Sequence, residues 1–561
     1  MAFVPTHELH DYTVAGLLRR NAERLPDNDC VVAPEFGVRW SWQEFDRLTD
    51  VVARGFYAMG IRKGDHVAIW ATNVPEWMLT MFATAKLGAI LVTVNTNYKQ
   101  FELNYLLTQS DAKMLVMIPE VRGNDYIDHI TGLMPGLLTQ DPDHVREAKL
   151  PFLRHVVLIG QSEKKARGMS SFDALYALAE TVPQSVVEEH IAGLDTHEVI
   201  NMQYTSGTTG FPKGVMLTHH NITNNGQFMG DCMKLTDADR LMIVVPLFHC
   251  FGCVLGVMSC LTHASTMVLM TRYQPEQEMA YLEQERCTAV HGVPTMFIGM
   301  LEHPSFDRFD FSHLRTGIMA GSPCPIKTMR DVTSKMHLSE LTITYGQTEC
   351  SPGMTMSRTD DPLELRVSTV GKLLPFAEGK IISPETGEEL PRGIPGEIIT
   401  RGYHVMKGYY KMPEATKAAV DEAGWLHTGD IGTMDEDGNF RITGRLKDMI
   451  IRGGENIYPR EIEEFMYTHP AIRDVQVVGV PDEKYGEEVC ACVIFKEGQC
   501  APDEALIEFV RAGLSRYKAP RYILPLTEFP MTASGKIQKY ILRELGVQRL
   551  GLQKAANIET A

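Results

Sequence analysis

The segment from Tyr204 to Gly214 combines residue types that bind phosphate. It reads Tyr-Thr-Ser-Gly-Thr-Thr-Gly-Phe-Pro-Lys-Gly and holds three glycines, four Ser or Thr hydroxyls and Lys213. Glycine allows backbone conformations in which successive N–H groups point inward and form an anion-binding concavity. The hydroxyls add donors and the lysine adds a positive charge. The segment therefore indicates phosphate binding, although Ser, Thr and Gly runs are also common in ordinary flexible loops.

The spacing within this segment differs from that of a P-loop. A P-loop has glycine, four residues and then Gly-Lys-Ser/Thr, whereas Gly214 follows Lys213 here. The pattern therefore argues against an ordinary P-loop ATPase. An apolar run of Val199, Ile200 and Met202 precedes the segment and predicts a strand that leads into it.

Further motifs follow in a fixed order, and together with the first segment they resemble the signature of the adenylate-forming superfamily. That superfamily includes acyl-CoA synthetases, luciferases and peptide-synthetase adenylation domains. The motifs are Gly321-Ser322-Pro323, Tyr345-Gly346-Gln347-Thr348-Glu349, Thr428-Gly429-Asp430, Gly444-Arg445-Leu446-Lys447-Asp448, Gly453-Gly454-Glu455-Asn456-Ile457-Tyr458-Pro459 with Glu461-Ile462-Glu463, and Pro530-Met531-Thr532-Ala533-Ser534-Gly535-Lys536-Ile537. The resemblance spans nearly the whole chain and implies an AMP-forming acyl-CoA synthetase similar to medium-chain fatty acid–CoA ligases.

The elements that must position these motifs are predicted from the pattern of apolar residues. Residues 65–70 read as a buried strand. Asn73 is expected to cap a helix that has Pro75 in its first turn and stops at Gly88, and 89–94 is again strand-like. Such alternation predicts an α/β fold with largely parallel sheets.

The pattern changes after about Lys372, where short segments are split by Gly, Pro and Asp. These predict a small β-rich subdomain, in which residues 425–427 resemble an edge strand. An α+β domain of about 100 residues follows, within the usual size range of domains. The resemblance implies a large adenylation domain over 1–444, a small mobile domain over 445–547 with the site between the two, and a tail over 548–561.

The composition limits the classes of function. The net charge of −17 argues against nucleic-acid binding, which needs a basic face. Eleven scattered cysteines indicate free thiols in a reducing compartment, and we expect a cytoplasmic monomer or homodimer with small-molecule substrates. Residues 241–271 contain no Asp, Glu, Lys or Arg, but Pro246, Gly252 and Gly256 interrupt them. They predict a buried strand, loop, helix and strand, and no transmembrane segment is expected.

The resemblance implies that ATP, Mg²⁺ and CoA take part in a two-step reaction. A carboxylate attacks the α-phosphate of ATP to give acyl-AMP and pyrophosphate, and a thiol then displaces AMP. Catalytic roles are expected for Lys536, Thr209, Glu349 and His249, and a magnesium site for Glu349 with Thr208. The residues expected to bind the nucleotide are Thr205, Ser206, Gly207, Thr208, Thr209, Gly210, Lys213, Gly321, Ser322, Pro323, Tyr345, Gly346, Gln347, Thr348, Asp430, Arg445 and Lys536.

The remaining expected sites concern the acyl group, the thiol and the hinge. Gly453, Gly454 and Glu455 are expected to contact CoA, and Lys447 occupies the family's hinge position. The residues expected to line the acyl pocket are His249, Phe251, Gly252, Val293, Gly321 and Gly346. Acetate-specific relatives tend to carry tryptophan at the position of Gly346, so glycine indicates a longer apolar acid.

Other functions stay open at this point. An adenylating ligase with an acceptor other than CoA, or a ligase for an aromatic or alicyclic acid, would carry most of the same motifs. A non-catalytic nucleotide sensor is expected to lose Lys536 or Glu349, and both are present. Acetylation of Lys536 would remove the charge that the first step needs and is a hypothesis for regulation.

Overall fold

The computed structural model describes residues 8–205, 212–321, 324, 326–445, 448–452, 455–482, 485–514, 516–532 and 537–553. The chain divides into two compact units. The first has the bounds Met1–Glu378 and Thr400–Leu426, and the second has the bounds Gly379–Ile399 and His427–Ala561. The small β-rich region after residue 378 is therefore grouped largely with the C-terminal residues. The functional division at residue 444 remains a prediction.

An eight-stranded sheet in the first unit carries the segment that precedes the glycine-rich loop. In spatial order its strands are β21 (Gly408–Tyr409), β11 (Lys213–Thr218), β10 (Val199–Thr205), β4 (Ile90–Thr93), β3 (His66–Trp70), β5 (Met114–Met117), β8 (His155–Leu158) and β9 (Ser170–Ser171). All neighbours are parallel except β11, which is antiparallel to both β10 and β21. The strand predicted before the loop is confirmed as β10.

A nine-stranded sheet in the same unit carries the Tyr345–Glu349 motif. In spatial order its strands are β18 (Lys372–Leu373), β17 (Gly353–Met356), β16 (Glu340–Gly346), β15 (Thr316–Met319), β14 (Ala289–Gly292), β12 (Arg240–Ile243), β13 (Thr266–Leu269), β1 (Asp29–Ala33) and β2 (Val38–Ser41). Its central strands are parallel, and antiparallel pairs flank them at both edges. A separate two-stranded ribbon consists of β6 (Glu120–Val121) and β7 (Asn124–Asp125).

Helices connect the strands of the first unit. They are α1 (Val14–Arg24), α2 (Trp42–Ala58), α3 (Pro75–Leu87), α4 (Gln100–Gln109), α5 (Tyr126–Leu133), α6 (Ala174–Ala179), α7 (Ser185–Ala192), α8 (His219–Met233), α9 (Ser259–His263), α10 (Pro275–Gln284), α11 (Pro294–Leu301), α12 (Ile326–Lys335), α13 (Leu363–Ser368) and α14 (Pro413–Ala419). A π-helical segment, Phe251–Met258, precedes α9. Nearly every side chain of α3 is buried, because α3 packs against helices α1, α2 and α7 as well as against strands β3 and β4.

The start of α3 differs from the prediction. Its N-cap is Val74 and not Asn73, and no side chain caps the helix. The amide of Asn73 instead binds the segment after β12: Nδ2 donates to the carbonyl of Val245 at 3.0 Å, and Oδ1 accepts from the N–H of Leu247 at 2.9 Å. Gly88 ends the helix as predicted, in the left-handed conformation at φ +67°.

The second unit contains most of the residues of two further sheets. One sheet has the order β19 (Ala377–Ile382), β20 (Gly396–Gly402), β22 (Leu426–Met434) and β23 (Phe440–Arg445). The other has the order β25 (Glu455–Ile457), β24 (Ile450–Arg452), β27 (Gly486–Phe495) and β26 (Ile472–Asp482), with β28 (Tyr522–Pro525) also paired to β27. Its helices are α15 (Pro459–Met466), α16 (Asp503–Gly513) and α17 (Lys539–Arg549).

Two expectations for this region need correction. β22 lies between β20 and β23, so the edge-strand interpretation of residues 425–427 was wrong. Helix α17 continues to Arg549 and so includes the first two residues of the predicted tail. The α/β class, with a large N-terminal and a smaller C-terminal part, is confirmed by the sheets and by the two compact units.

The apolar stretch at 241–271 folds as predicted into a strand, a loop, buried helical turns and a strand. Across the described ranges, no helix is both long enough and apolar enough to cross a membrane. All eleven cysteines are free thiols; nine are buried, Cys324 is half-buried and Cys500 is exposed.

Candidate active site

The carboxyl ends of β10 and β16 bring together two residues that are far apart in sequence. Thr205 is the last residue of β10, and Glu349 lies in a short turn after β16. The Thr205 hydroxyl lies 3.5 Å from Glu349 Oε1, although 144 positions separate the two residues. Ligand sites of open α/β sheets form at such carboxyl ends, because the connecting loops meet there.

Tyr409 completes this cluster and was not anticipated from the motifs. It is the last residue of β21, and its hydroxyl donates to Glu349 Oε1 at 2.8 Å. Burial and the neighbouring carboxylate raise the pKa of Tyr409 well above its usual range, so the hydroxyl stays a donor. The backbone of Glu349 is fixed as well, because its carbonyl accepts from the N–H of Met406 at 2.9 Å.

Lys213 lies on the other side of the same tyrosine. Its Nζ is 4.9 Å from the centroid of the Tyr409 ring, within the range of a cation–π interaction. The antiparallel register pairs Lys213 with Thr205, which fixes the backbone at the two ends of the glycine-rich loop. Thr205, Lys213, Glu349 and Tyr409 therefore form one polar cluster, which we call the strand-end cluster.

The donor set of this cluster fits magnesium. Within the part of the chain that the structure describes, both hydroxyl contacts of Glu349 involve Oε1, and no donor reaches Oε2. Magnesium prefers one or two carboxylate oxygens together with phosphate oxygens and water. A carboxylate with one oxygen held in place and the other available as a ligand meets this requirement.

Thr348 is positioned by residues that the sequence motifs do not include. Its hydroxyl lies 3.3 Å from Cys250 Sγ, and Cys250 Sγ lies 2.8 Å from Gln203 Oε1. The amide nitrogen of Gln203 in turn contacts Cys253 Sγ at 2.8 Å. Gln203 is two residues before Thr205 on β10, so this buried chain of contacts links the start of the π-helical segment to both strand ends.

The remaining residues of the Tyr345–Glu349 motif lie at the end of β16. Tyr345 is half-buried and Gly346 is exposed, and the N–H of Gln347 contacts Cys350 Sγ at 3.1 Å. A Cβ atom at Gly346 would lie 1.9 Å from the carbonyl oxygen of Pro352. Glycine is therefore required here by backbone packing, whatever it also contributes to the volume of an acyl pocket.

His249 is the first residue along the chain that is predicted to line the acyl pocket. His249 is half-buried, and its Nδ1 accepts from the N–H of Phe251 at 3.2 Å. The Phe251 ring lies 5.6 Å from that of His291. Burial lowers the pKa of His291 to about 4, and its two nitrogens contact the carbonyl of Leu255 and the N–H of Ile318. His291 is therefore neutral at physiological pH and acts as a packing residue.

Gly252 and Gly321, which are also predicted to line the acyl pocket, are constrained in different ways. A Cβ atom at Gly252 would lie 2.4 Å from the carbonyl oxygen of Pro246. Gly321 has φ +89°, and a Cβ atom there would lie 3.1 Å from Val293 Cγ1. Gly321 and Val293 are thus neighbours, as the predicted pocket lining requires. The atoms nearest to these two Cβ positions are backbone atoms of Pro246 and Leu247 and a methyl group of Val293.

In the second unit, Asp430 and Arg445 are register partners on β22 and β23. Asp430 is buried, and its N–H donates to the Thr428 hydroxyl at 3.1 Å. The backbone of Glu455 belongs to β25. The predicted site residues that lie outside the described ranges are Ser206, Gly207, Thr208, Thr209, Gly210, Ser322, Pro323, Lys447, Gly453, Gly454 and Lys536.

Comparison with known proteins gives two family matches. The model of the AMP-binding enzyme family matches residues 18–410, and that of the AMP-binding enzyme C-terminal domain matches residues 461–536. The chain is 52% identical to YngI of Bacillus subtilis over 98% of this chain and 100% of that protein. YngI is named as an acyl-CoA synthetase by inference. The chain is also 40% identical to the mitochondrial medium-chain acyl-CoA ligase ACSF2 of Danio rerio, over 98% and 90%.

A solved structure with a similar fold is the ATP-bound MatB of Rhodopseudomonas palustris. It superposes with a TM-score of 0.80 at 28% identity, over 95% of this chain and 99% of that chain.

Proposed function

The chain belongs to the AMP-binding enzyme family and is an AMP-forming acid–CoA ligase, and we propose that its preferred acid is a medium-chain fatty acid. ATP and CoA are its substrates. The match over residues 18–410 and identities of 40% and 52% across the full length support the class of reaction. The meeting of Glu349 with Thr205 and Tyr409 is the observation on which the site assignment rests.

The first half-reaction brings a carboxylate anion to a polyphosphate, so its barrier is largely electrostatic. Oriented donors and cations around the transferring phosphorus lower such a barrier. We assign the β- and γ-phosphate contacts to Thr205 with the residues of the glycine-rich loop, and the α-phosphate contact to Thr348. The contacts of Thr348 with Cys250 and of Cys250 with Gln203 support this role, because they hold the hydroxyl at the end of the strand.

We propose that Glu349 and Thr208 hold Mg²⁺. The Tyr409 hydroxyl donates to Oε1 of Glu349 and so fixes the orientation of the carboxylate, including that of Oε2. When bound, the ion neutralises negative charge on the phosphates and stabilises the charge that develops during transfer. Lys213, above the Tyr409 ring, adds a positive charge to the same region.

Residues of the second unit are assigned the remaining roles by their match to the family motifs. We propose that Asp430 accepts the ribose hydroxyls, since one carboxylate can accept two hydrogen bonds, and that Arg445 contacts the same ribose. Lys536 is proposed to stabilise the α-phosphate and the substrate carboxylate during adenylation. Rotation about Lys447 would then exchange Lys536 for the CoA-binding residues, which we propose are Gly453, Gly454 and Glu455.

The acid is inferred from the apolar residues of the predicted acyl pocket. Phe251 and Val293 are buried, and Gly321 beside Val293 adds no side chain. Burial of each substrate methylene group in an apolar pocket stabilises the complex by about 0.8 kcal/mol. The likeness to the medium-chain ligase ACSF2 supports the same choice. The free thiols fit a reducing compartment, and a cytoplasmic monomer or homodimer remains our proposal.

Pyrophosphate release tests this function. The purified enzyme is assayed with ATP and Mg²⁺ against acetate, hexanoate, octanoate, decanoate, dodecanoate, palmitate and benzoate, each with and without CoA. We expect turnover only with CoA, and kcat/KM that rises about fourfold per methylene up to a maximum among the medium-chain acids. A maximum at acetate, palmitate or benzoate would contradict the proposed acid.

The dependence on CoA separates the reaction classes in the same assay. Release of one equivalent of pyrophosphate per enzyme without CoA, followed by steady turnover once CoA is added, is expected for the proposed ligase. Steady turnover with an amine and none with CoA would identify a different acceptor.

A further inference from the structure

Three potential metal ligands from separate segments meet at the end of β10 opposite the strand-end cluster. They are Asp11 in the segment before α1, His197 in the loop before β10, and His220 in the first turn of α8. One ligand atom from each lies within 4.8 Å of the others. The carboxylate of Asp11 is 3.5 Å from His220 Nδ1, and the two imidazole centroids are 4.7 Å apart.

The backbone around both histidines is fixed by local hydrogen bonds. The N–H of His220 donates to the carbonyl of Thr196 at 2.8 Å, which ties the start of α8 to the residue before His197. The N–H of His197 donates to Asp195 Oδ1 at 2.8 Å. These backbone hydrogen bonds hold the two imidazole rings next to each other.

The backbone on each side of Asp11 is tied to α8. The N–H and the carbonyl of His10 both bind the side chain of Asn224 at 3.0 Å. The carbonyl of Tyr12 accepts from the hydroxyl of Thr223 at 3.4 Å. Asp11 is thus held between two anchored residues, and its carboxylate has only its own side-chain torsions to adjust.

We propose that Asp11, His197 and His220 bind one divalent transition-metal ion of the Zn²⁺ class. Two imidazole nitrogens and one carboxylate oxygen suit zinc and its neighbours, whereas magnesium prefers oxygen ligands alone. Ligand atoms around zinc lie about 2.0 to 2.2 Å from the ion. The present separations therefore shorten on binding, which the exposed Asp11 and His197 side chains permit by rotation.

The position of the three residues indicates a structural role for the ion. β10 spans about 20 Å between Val199 and Thr205 at roughly 3.3 Å per residue, so the ion would lie far from the strand-end cluster. It would join the segment before α1 to the loop before β10 and to α8. A ligand that binds only the folded state stabilises it by mass action, so the ion is expected to raise the melting temperature.

Zinc titration of the untagged, chelator-treated enzyme tests the proposal. The titration is performed in excess Mg²⁺, which occupies carboxylate sites that prefer it. We expect the wild type to bind one more equivalent of Zn²⁺ than the double variant His197→Gln/His220→Gln, and Asp11→Asn to weaken this binding by about tenfold or more. Zn²⁺ should raise the melting temperature of the wild type and leave that of the double variant unchanged.

Two matched controls identify the ligands. The double variant His313→Gln/His337→Gln removes two histidines elsewhere on the same unit, and Cys500→Ser removes the exposed thiol; both should bind zinc as the wild type does. Equal zinc stoichiometry in the wild type and in His197→Gln/His220→Gln would overturn the proposal. Loss of the zinc in Cys500→Ser would overturn it as well. Melting curves without metal establish that each variant is folded.

Discussion

The two ends of the antiparallel pair β10–β11 carry different chemistry. At one end, Thr205 faces Lys213 in the register, and the glycine-rich loop joins the strands. At the other end, Val199 faces Thr218, and His197 and His220 lie just beyond them. The first end presents hydroxyls, a carboxylate and an ammonium group. The second presents imidazoles and an exposed carboxylate.

The two cation sites that we propose on this pair of strands therefore differ in their donor atoms. Hard oxygen donors select magnesium together with phosphate, and imidazole nitrogens select zinc-like ions. The two ends also differ in how their parts arrive. Glu349 and Tyr409 reach the strand-end cluster from elements far along the chain, whereas His197 and His220 flank the strand pair itself.

The largest expected effect comes from Glu349→Gln. It keeps the size of the side chain but removes the charge at the strand-end cluster, so we expect adenylation to slow by about 100- to 1000-fold. Pyrophosphate release with saturating acid and ATP measures the change. Glu364→Gln, at an exposed surface ion pair with Arg330, is the matched control. An unchanged rate in Glu349→Gln would break the comparison, because the oxygen-donor end would then have no catalytic role.

Glu278 on α10 contrasts with Glu349, because it is a carboxyl group that no hydrogen-bond donor contacts among the described residues. It is fully buried, and neither oxygen has a hydrogen-bond partner among the described residues. Burial raises its pKa to about 8, so the folded state favours the neutral acid. This raised pKa costs stability as pH rises from about 4.5 to about 8, on the order of 3 kcal/mol at pH 7.

Glu278→Gln should therefore raise the free energy of unfolding at pH 8 and above, and change it little near pH 4.5. Urea unfolding across this pH range measures the effect. Glu276→Gln, at an exposed position on the same helix, should show no alkaline gain. An equal effect of Glu278→Gln at both pH values would refute the assignment of a neutral buried acid.

Gly346→Ala tests whether that glycine serves packing or pocket volume. Its Cβ would lie 1.9 Å from the Pro352 carbonyl oxygen, so we expect a loss of about 1 to 3 kcal/mol in the free energy of unfolding. Gly193→Ala is the control, because its Cβ would meet no atom closer than 3.5 Å. A stable variant with a shortened acid preference would favour the pocket role alone.

Tyr409→Phe has the smallest expected effect and sharpens the role of orientation. It removes the hydroxyl that donates to Glu349 and keeps the ring beside Lys213. We expect the Mg²⁺ concentration for half-maximal rate to rise by about tenfold, since a hydrogen bond to a charged group contributes about 1.5 kcal/mol or more. Tyr410→Phe, whose hydroxyl donates to Asp111, should leave it unchanged. Equal Mg²⁺ dependence in both variants would show that Glu349 needs no orientation by Tyr409.

The local sequence pattern correctly predicted the elements that depend mainly on neighbouring residues. The apolar run before the loop predicted β10, and the Gly88 stop of α3 was predicted because glycine accepts the left-handed conformation at low cost. It failed for Asn73, whose amide binds the segment after β12. A side chain that suits an N-cap also suits any nearby backbone donor and acceptor, and only the packed fold decides between them.

The order of motifs determined the family and the class of reaction, because residues that bind a nucleotide lie in loops whose composition is legible without coordinates. Only the tertiary structure placed Tyr409 on Glu349, linked Cys250 and Gln203 to Thr348, and gathered Asp11, His197 and His220 at one end of β10. Contacts of this kind join strands from separate parts of the chain. Their partners are set by sheet order and register, and spacing along the sequence does not encode either.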